Sequence, residues 1–182
     1  MPLSAGQQKN IRTWFEFRNL PLDKEMMANI AEYQDLLLSW TDRINLISKG
    51  DRSAIVENHI LDALGPHEMV PVQGSLIDIG TGAGLPGIPL ALLRPRLAVT
   101  LMESIHKKIL FLRATKDRLG LANVEIVEGR FGDVKLANTF DIVTLRALPA
   151  WESYLGKIKE IIKPGGKIIY YKQRGVYTVI TE

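Results

Sequence analysis

Between Lys24 and Leu46 apolar side chains return every three or four residues, at Met26, Ile30, Tyr33, Leu37, Trp40 and Ile44. That period lays them along one stripe of an α-helix. A shorter helix is expected over Gln8–Arg18, closed at Leu20–Pro21 because the residue before a proline disfavours helical backbone. Ser53 is placed to cap a third helix carrying Ile55, Ile60 and Leu64. Near Pro71 the pattern changes. Short apolar runs at Ser75–Ile79, Ala98–Met102, Val124–Val127, Phe140–Leu145 and Lys167–Tyr171 read as strands, and Val176–Thr181 as a final one. Helices are expected from about Leu85–Gly87 onward, over Lys107–Leu119, and from about Trp151 to Ile162. Gly165-Gly166 after Pro164 reads as a turn. Strand and helix in alternation imply a mostly parallel sheet with right-handed crossovers and helices on both faces. No internal repeat interrupts the pattern. The expectation is a single domain over 1–182, with a helical N-terminal cap (1–70) on a doubly wound α/β core (71–182).

The 182 residues are 46% hydrophobic and 24% charged, an ordinary globular balance. The chain has no cysteine, which excludes disulfides and thiolate metal sites. Three histidines without clustered carboxylates give a metal centre little to build on, so none is expected. No apolar run approaches the roughly 18 residues that span a bilayer, and the N-terminus lacks the apolar region of a signal peptide. A soluble cytoplasmic protein with no membrane partner is the default, and a monomer the working expectation. Charge is uneven: residues 1–70 carry 7 Lys/Arg against 10 Asp/Glu, and residues 71–182 carry 16 against 10. Such asymmetry fits a portion that faces a polyanion, although a solvated surface gives the same count.

The densest chemistry lies in Leu76–Gly87, which reads LIDIGTGAGLPG. The strand ends in Asp78, and Gly80, Gly82 and Gly84 follow at alternate positions. Glycine permits positive φ and close approach of backbone to a ligand, and the next helix would point its N-terminus at that ligand. Two cofactors compete. Gly82-x-Gly84-x-x-Gly87 satisfies the dinucleotide fingerprint. Asp78, however, precedes that match at the strand end. A carboxylate there suits the ammonium and sulfonium of S-adenosylmethionine and would repel a pyrophosphate. Glu103, about 20 residues on at the end of the second strand, is placed to accept from ribose hydroxyls in either case. Its plainer reading is a helix N-terminal charge, with Ser104 as cap. The third strand leads into Gly129-Arg130-Phe131-Gly132, a loop that would flank an adenine.

Together these segments resemble the bacterial 16S ribosomal RNA guanine-N7 methyltransferases, also called the glucose-inhibited division protein B family. The matching stretches are Asn45–Ser48, His59–Asp62, Asp78–Leu90, Glu103-Ser104 with Lys107, Phe111–Arg113, Glu128–Arg130, Arg146-Ala147 and Gly165-Gly166 leading to Lys172. The continuation Gly84–Leu90, GLPGIPL, is more specific than the glycines alone. The resemblance covers roughly residues 11–172. It implies the Rossmann-like class I methyltransferase fold and methyl transfer from S-adenosylmethionine to N7 of a guanine in small-subunit RNA or the 30S particle. It implies a cofactor pocket of Asp78, Gly80, Gly82, Gly84, Leu85, Glu103, Ser104, Phe131, Gly132 and Arg146. Arg146, Lys107, Arg130 and Lys172 are its basic catalytic positions. The chain departs from the family at Gly132, often acidic there, and at Gln173, usually glycine. Family members usually continue past the last strand into a helix and an antiparallel hairpin, whereas Val176–Thr181 ends this sequence. The chemistry is consistent with the residues: N7 has a free lone pair, so no catalytic base is demanded. Positioning carries the reaction, and a donor such as Arg146 would address O6 or a phosphate. Two alternatives stay open, a dinucleotide-dependent oxidoreductase and a non-catalytic RNA-binding or assembly factor on the same fold.

Overall fold

The structure, a computed structural model, describes residues 2–148, 150–173 and 175–181. The cap opens with α1 (Ala5–Phe17), which starts three residues earlier than its apolar pattern suggests. Ser4 and Gln7 form a reciprocal capping box that fixes this start. Helix α2 (Lys24–Thr41) begins where the Asp23 carboxylate accepts from the Met26 amide, and it buries Ile30, Tyr33, Gln34 and Leu37. The third cap helix differs from expectation. A 3₁₀ segment (Lys49–Ala54) runs into a π-helical turn (Val56–Leu61), and Ser53 caps nothing. Ile55 and Ile60, and Val56 and Leu61, are buried pairs five residues apart. That spacing is matched by i→i+5 bonding rather than by an α-turn.

The core alternates as expected: β1 (Gln73–Ile79), α3 (Gly87–Leu93), β2 (Arg96–Glu103), α4 (His106–Arg118), β3 (Val124–Glu128), β4 (Phe140–Arg146), α5 (Leu155–Ile161), β5 (Ile162–Gln173) and β6 (Val176–Thr181). Among the described residues these strands form one sheet in the order β3-β2-β1-β4-β5-β6, parallel except for β6, which runs antiparallel to β5. Strand β5 starts before Gly165-Gly166, so the predicted turn is an irregularity within the strand, at the Phe140/Ile142 register shift. Side chains alternate across the sheet. Leu76, Val99, Leu101, Ile142 and Ile169 face the cap, α3 and α4. Ile77, Ile79, Val143, Leu145 and Ile168 face α5. The order in which strands are added reverses between β1 and β4, and the crevice outside the carboxyl ends of those parallel strands is where open α/β sheets bind ligands. No helix among the described residues is long and apolar enough to cross a membrane.

Candidate active site at the glycine loop

The glycine loop leaves β1 at that crevice. Gly80 and Thr81 donate their amides to the Met102 carbonyl at 2.9 and 3.0 Å, tying the loop to the end of β2. Gly80, at φ +68°, has open space where a Cβ would stand, so its backbone fronts the crevice. Gly84, at φ +84°, is glycine for a different reason: a Cβ would collide with Ile88 and crowd Leu112. Leu85 is buried with Ala83 and Ile88 in the cap-side core and does not line the crevice as expected.

Asp78 corrects the sequence reading. The carboxylate is fully buried, and the period of β1 turns it under the loop, away from the crevice. Its Oδ2 accepts from the Thr81 hydroxyl at 2.5 Å and the Gly87 amide at 2.9 Å, and its Oδ1 from the Thr144 hydroxyl at 2.8 Å. Thus the first amide of α3 serves Asp78 and not a ligand, a favourable place for a negative charge. Burial pushes the Asp78 carboxyl up to about 6, although the bonds from Thr81, Thr144 and Gly87 and the charge of Arg146 pull against it. Asp78 is a strut for the loop.

Glu103 stands where β2, the start of α4 and the glycine loop meet. Oε1 accepts from the Ser104 and Ile105 amides at 2.8 and 2.9 Å, which fixes the chain just before α4, and Ser104 does not cap that helix as expected. Oε2 accepts from the Gly82 amide at 3.0 Å and lies 3.8 Å from Lys108 Nζ. A carboxylate offers about four lone-pair positions, so acceptor capacity toward a ligand remains. Beside it opens a cavity of about 300 Å³ lined by Gly80, Met102, Glu103, Ser104, Gly129, Arg130, Phe131, Leu148 and Tyr154. The Phe131 and Tyr154 rings stand 5.9 Å apart at one wall. A groove of about 780 Å³ lies elsewhere, between α1 and the β6 edge, and contains none of the loop residues.

Of the expected site residues, Gly80, Glu103, Ser104, Arg130 and Phe131 therefore meet in one cavity, with Asp78, Gly82, Gly84 and Leu85 as its scaffold. Gly132 does not join them. It lines a separate hollow where Lys157 Nζ approaches its carbonyl at 3.5 Å. Lys107 is exposed on α4, and its neighbour Lys108 is the lysine that reaches the loop. Lys172 is exposed and, by strand alternation, on the opposite face of β5 from Tyr171. Arg146 ends β4 beside the crevice but reaches into the cap, with Nη2 3.1 Å from Asp62 Oδ2.

Other contributors were not anticipated. The buried Tyr33 hydroxyl donates to the Ala83 carbonyl at 2.7 Å, so α2 holds the glycine loop from behind. A tyrosine on a buried stripe is a visible signal, because its hydroxyl needs a partner. Lys108 had none that would separate it from Lys107, one helical position away.

A mostly parallel sheet of this order, with a glycine loop after β1, an acidic residue closing β2 and an antiparallel last strand, is a Rossmann-like fold, and its likenesses make its class that of the S-adenosylmethionine-dependent methyltransferases. The fold is shared with a solved structure from Aquifex aeolicus described as a SAM dependent methyltransferase. The TM-score is 0.55 at 21% identity, covering 67% of this chain and 68% of that one. Residues 26–178 match the family model of rRNA small subunit methyltransferase G. Proteins named Ribosomal RNA small subunit methyltransferase G are similar over most of the chain. The one from Xanthomonas campestris pv. campestris is 38% identical over 156 residues, 86% of this chain and 72% of its own length. The one from Clostridium beijerinckii is 35% identical over 169 residues, 90% of this chain and 71% of its own length. The chain belongs to the rRNA small subunit methyltransferase G family.

Proposed function

We propose that this protein transfers a methyl group from S-adenosylmethionine to N7 of a guanine in small-subunit ribosomal RNA, acting as a cytoplasmic monomer of one domain. The observation that carries the reading is the cavity at the β1 and β2 ends, where the open backbone of Gly80, the Glu103 carboxylate and the Phe131 ring converge. Those groups fit the donor: a carboxylate for ribose hydroxyls, backbone without side chains beside it, and an aromatic wall for a flat base. When bound, S-adenosylmethionine supplies an electrophilic methyl group on a positively charged sulfur. Gly80, Glu103, Ser104 and Phe131 would hold it, while Asp78, Gly82, Gly84 and Leu85 keep the loop in shape.

Guanine N7 would bond to the methyl carbon with its own lone pair as the carbon–sulfur bond breaks and neutral S-adenosylhomocysteine leaves, so the fold has no need of a general base at the crevice, and the buried Asp78 can stay a strut. The protein's task is alignment, which supplies up to about 7–11 kcal/mol in favourable systems. Arg146 donates to O6 or to a phosphate, while Lys107, Arg130 and Lys172 contact backbone phosphates. The target base is splayed from its stack, as bases read by protein in RNA usually are. The test is incubation with methyl-labelled donor and either small-subunit RNA or 30S particles, followed by digestion to nucleosides. Label in 7-methylguanosine is expected from at least one substrate. Label on another nucleoside, or none from either, contradicts the proposal.

A further inference from the structure

The Arg146 guanidinium is gripped at one end only. Its Nη2 has three acceptors, all from the π-helical turn of the cap and the residue after it. These are Asp62 Oδ2 at 3.1 Å, the Asn58 carbonyl at 3.3 Å and His59 Nδ1 at 3.5 Å. The Asp62 carboxylate is itself aimed by the last hairpin, because Oδ1 accepts from the Gly175 amide at 2.8 Å and lies 3.3 Å from the Tyr177 hydroxyl, which donates to the Asp62 carbonyl at 2.9 Å. The Tyr171 ring lies 5.8 Å from the guanidinium carbon. Both side chains are largely out of solvent, Asp62 at 7% and Arg146 at 19% exposure. Yet Nη1 of Arg146 is buried and has no hydrogen-bond partner among the described residues.

Buried donors are nearly always paired, and one left over calls for an explanation. A salt bridge kept for stability alone would gain from satisfying both ends, and buried ion pairs are a poor source of net stability in any case. We infer that Asp62 is a positioning residue: by holding the Nη2 end of Arg146 it sets the orientation in which the partly exposed guanidinium is presented to an acceptor on the RNA substrate, the guanine O6 or a phosphate oxygen. The inference rests on the reading of Arg146 given above and adds to it. The cap contributes the part that orients the substrate-facing donor, and the irregular π-turn lets Asn58 and Asp62 converge on one nitrogen.

The experiment compares four proteins: wild type, Asp62→Asn, Arg146→Ala and the double variant. Asparagine keeps an oxygen for Gly175 and Tyr177 but can turn an amide donor toward Nη2. With small-subunit RNA as substrate, Asp62→Asn should lower kcat roughly 10- to 100-fold, the scale of a small misplacement in a reaction run by positioning. Its affinity for S-adenosylmethionine should stay within about twofold of wild type by calorimetry, since the pair lies outside the donor cavity. In the Arg146→Ala background the same change should have no further effect on turnover. Wild-type kcat for Asp62→Asn beside an inactive Arg146→Ala would overturn the inference and leave the role of Arg146 standing. An equal loss in both backgrounds, or a matching loss of donor affinity, would overturn it by showing a structural role. Wild-type turnover in Arg146→Ala would remove the reading beneath it. Should Asp62→Asn fail to fold, Asp62→Glu, which moves the charge by one methylene, carries the same comparison. A lowered kcat is expected in the presence of Arg146 and none in its absence, and any other pattern counts against the claim.

Discussion

At the scale of single residues, the site is built from carboxylates with divided duties. Asp78 is the instructive one. Its place at the end of β1 was legible, because an acidic residue before a glycine cluster stands out in any reading. Its direction was not, since the side chain's face depends on β1 and β4 pairing to bring Thr144 against it. Its pH behaviour follows from burial. The folded carboxyl sits at about 6 against an ordinary 3.8. The native state therefore holds this proton more tightly than the unfolded chain. Stability from the protonated form is complete below about pH 4, erodes as pH rises toward 6, and is gone above it, for about 3 kcal/mol. Asp78→Asn stays neutral throughout. Urea denaturation at pH 4.5 and 7.5 should show wild type losing ground to the variant at the higher pH, and parallel curves would exclude the burial argument. The lysines give the opposite lesson. Lys108 reaches Glu103 at the loop while Lys107, which the resemblance selected, is exposed, because one step along a helix rotates a side chain by about a third of a turn.

At the scale of elements, the alternation of β1 to β5 with α3 to α5 was legible because each segment is short and strongly apolar. The cap's third helix was not, because its buried pairs are five residues apart, and the start of α1 is set by the capping box at Ser4, which an apolar period does not register. The less visible fact is how α2 serves the site. Its Tyr33 lies on the apolar stripe that marks the helix, yet its hydroxyl holds the Ala83 carbonyl of the loop. Tyr33→Phe keeps the ring and leaves that carbonyl unpaired, a cost of about 1–3 kcal/mol. Thermal melting should fall accordingly, and donor affinity should weaken because the loop loses its rear support. Unchanged affinity would confine Tyr33 to packing. At Gly87 a side chain would collide with Leu101 and crowd Asp78. Gly87→Ala should therefore destabilise by about 1–3 kcal/mol, as overpacking does, and a neutral effect in the same melts would deny the close helix–strand approach.

At the scale of the molecule, cap and sheet share one apolar core that runs from Ile11, Phe15, Ile30 and Leu37 through Leu64 to Leu76, Val99 and Ile169. The proposal of one domain predicts a single cooperative transition, with far-ultraviolet dichroism and tryptophan fluorescence coincident. Trp14 and Trp40 report on the cap and Trp151 on the far face of the sheet, so an early fluorescence change would mean that the cap unfolds by itself. The same continuity explains why the cap can supply Tyr33 to the loop and Asp62 to Arg146, links between residues far apart in the chain that no local pattern discloses. The account depends most on what the cavity beside Glu103 holds. Calorimetric titration of the protein with S-adenosylmethionine and, separately, with NAD tests this directly, with Glu103→Ala as the site variant. One equivalent of S-adenosylmethionine should bind to wild type, unaffected by NAD, and bind Glu103→Ala about 10- to 100-fold more weakly, the worth of hydrogen bonds to a charged group. NAD binding in its place, or donor affinity indifferent to Glu103, would contradict the account.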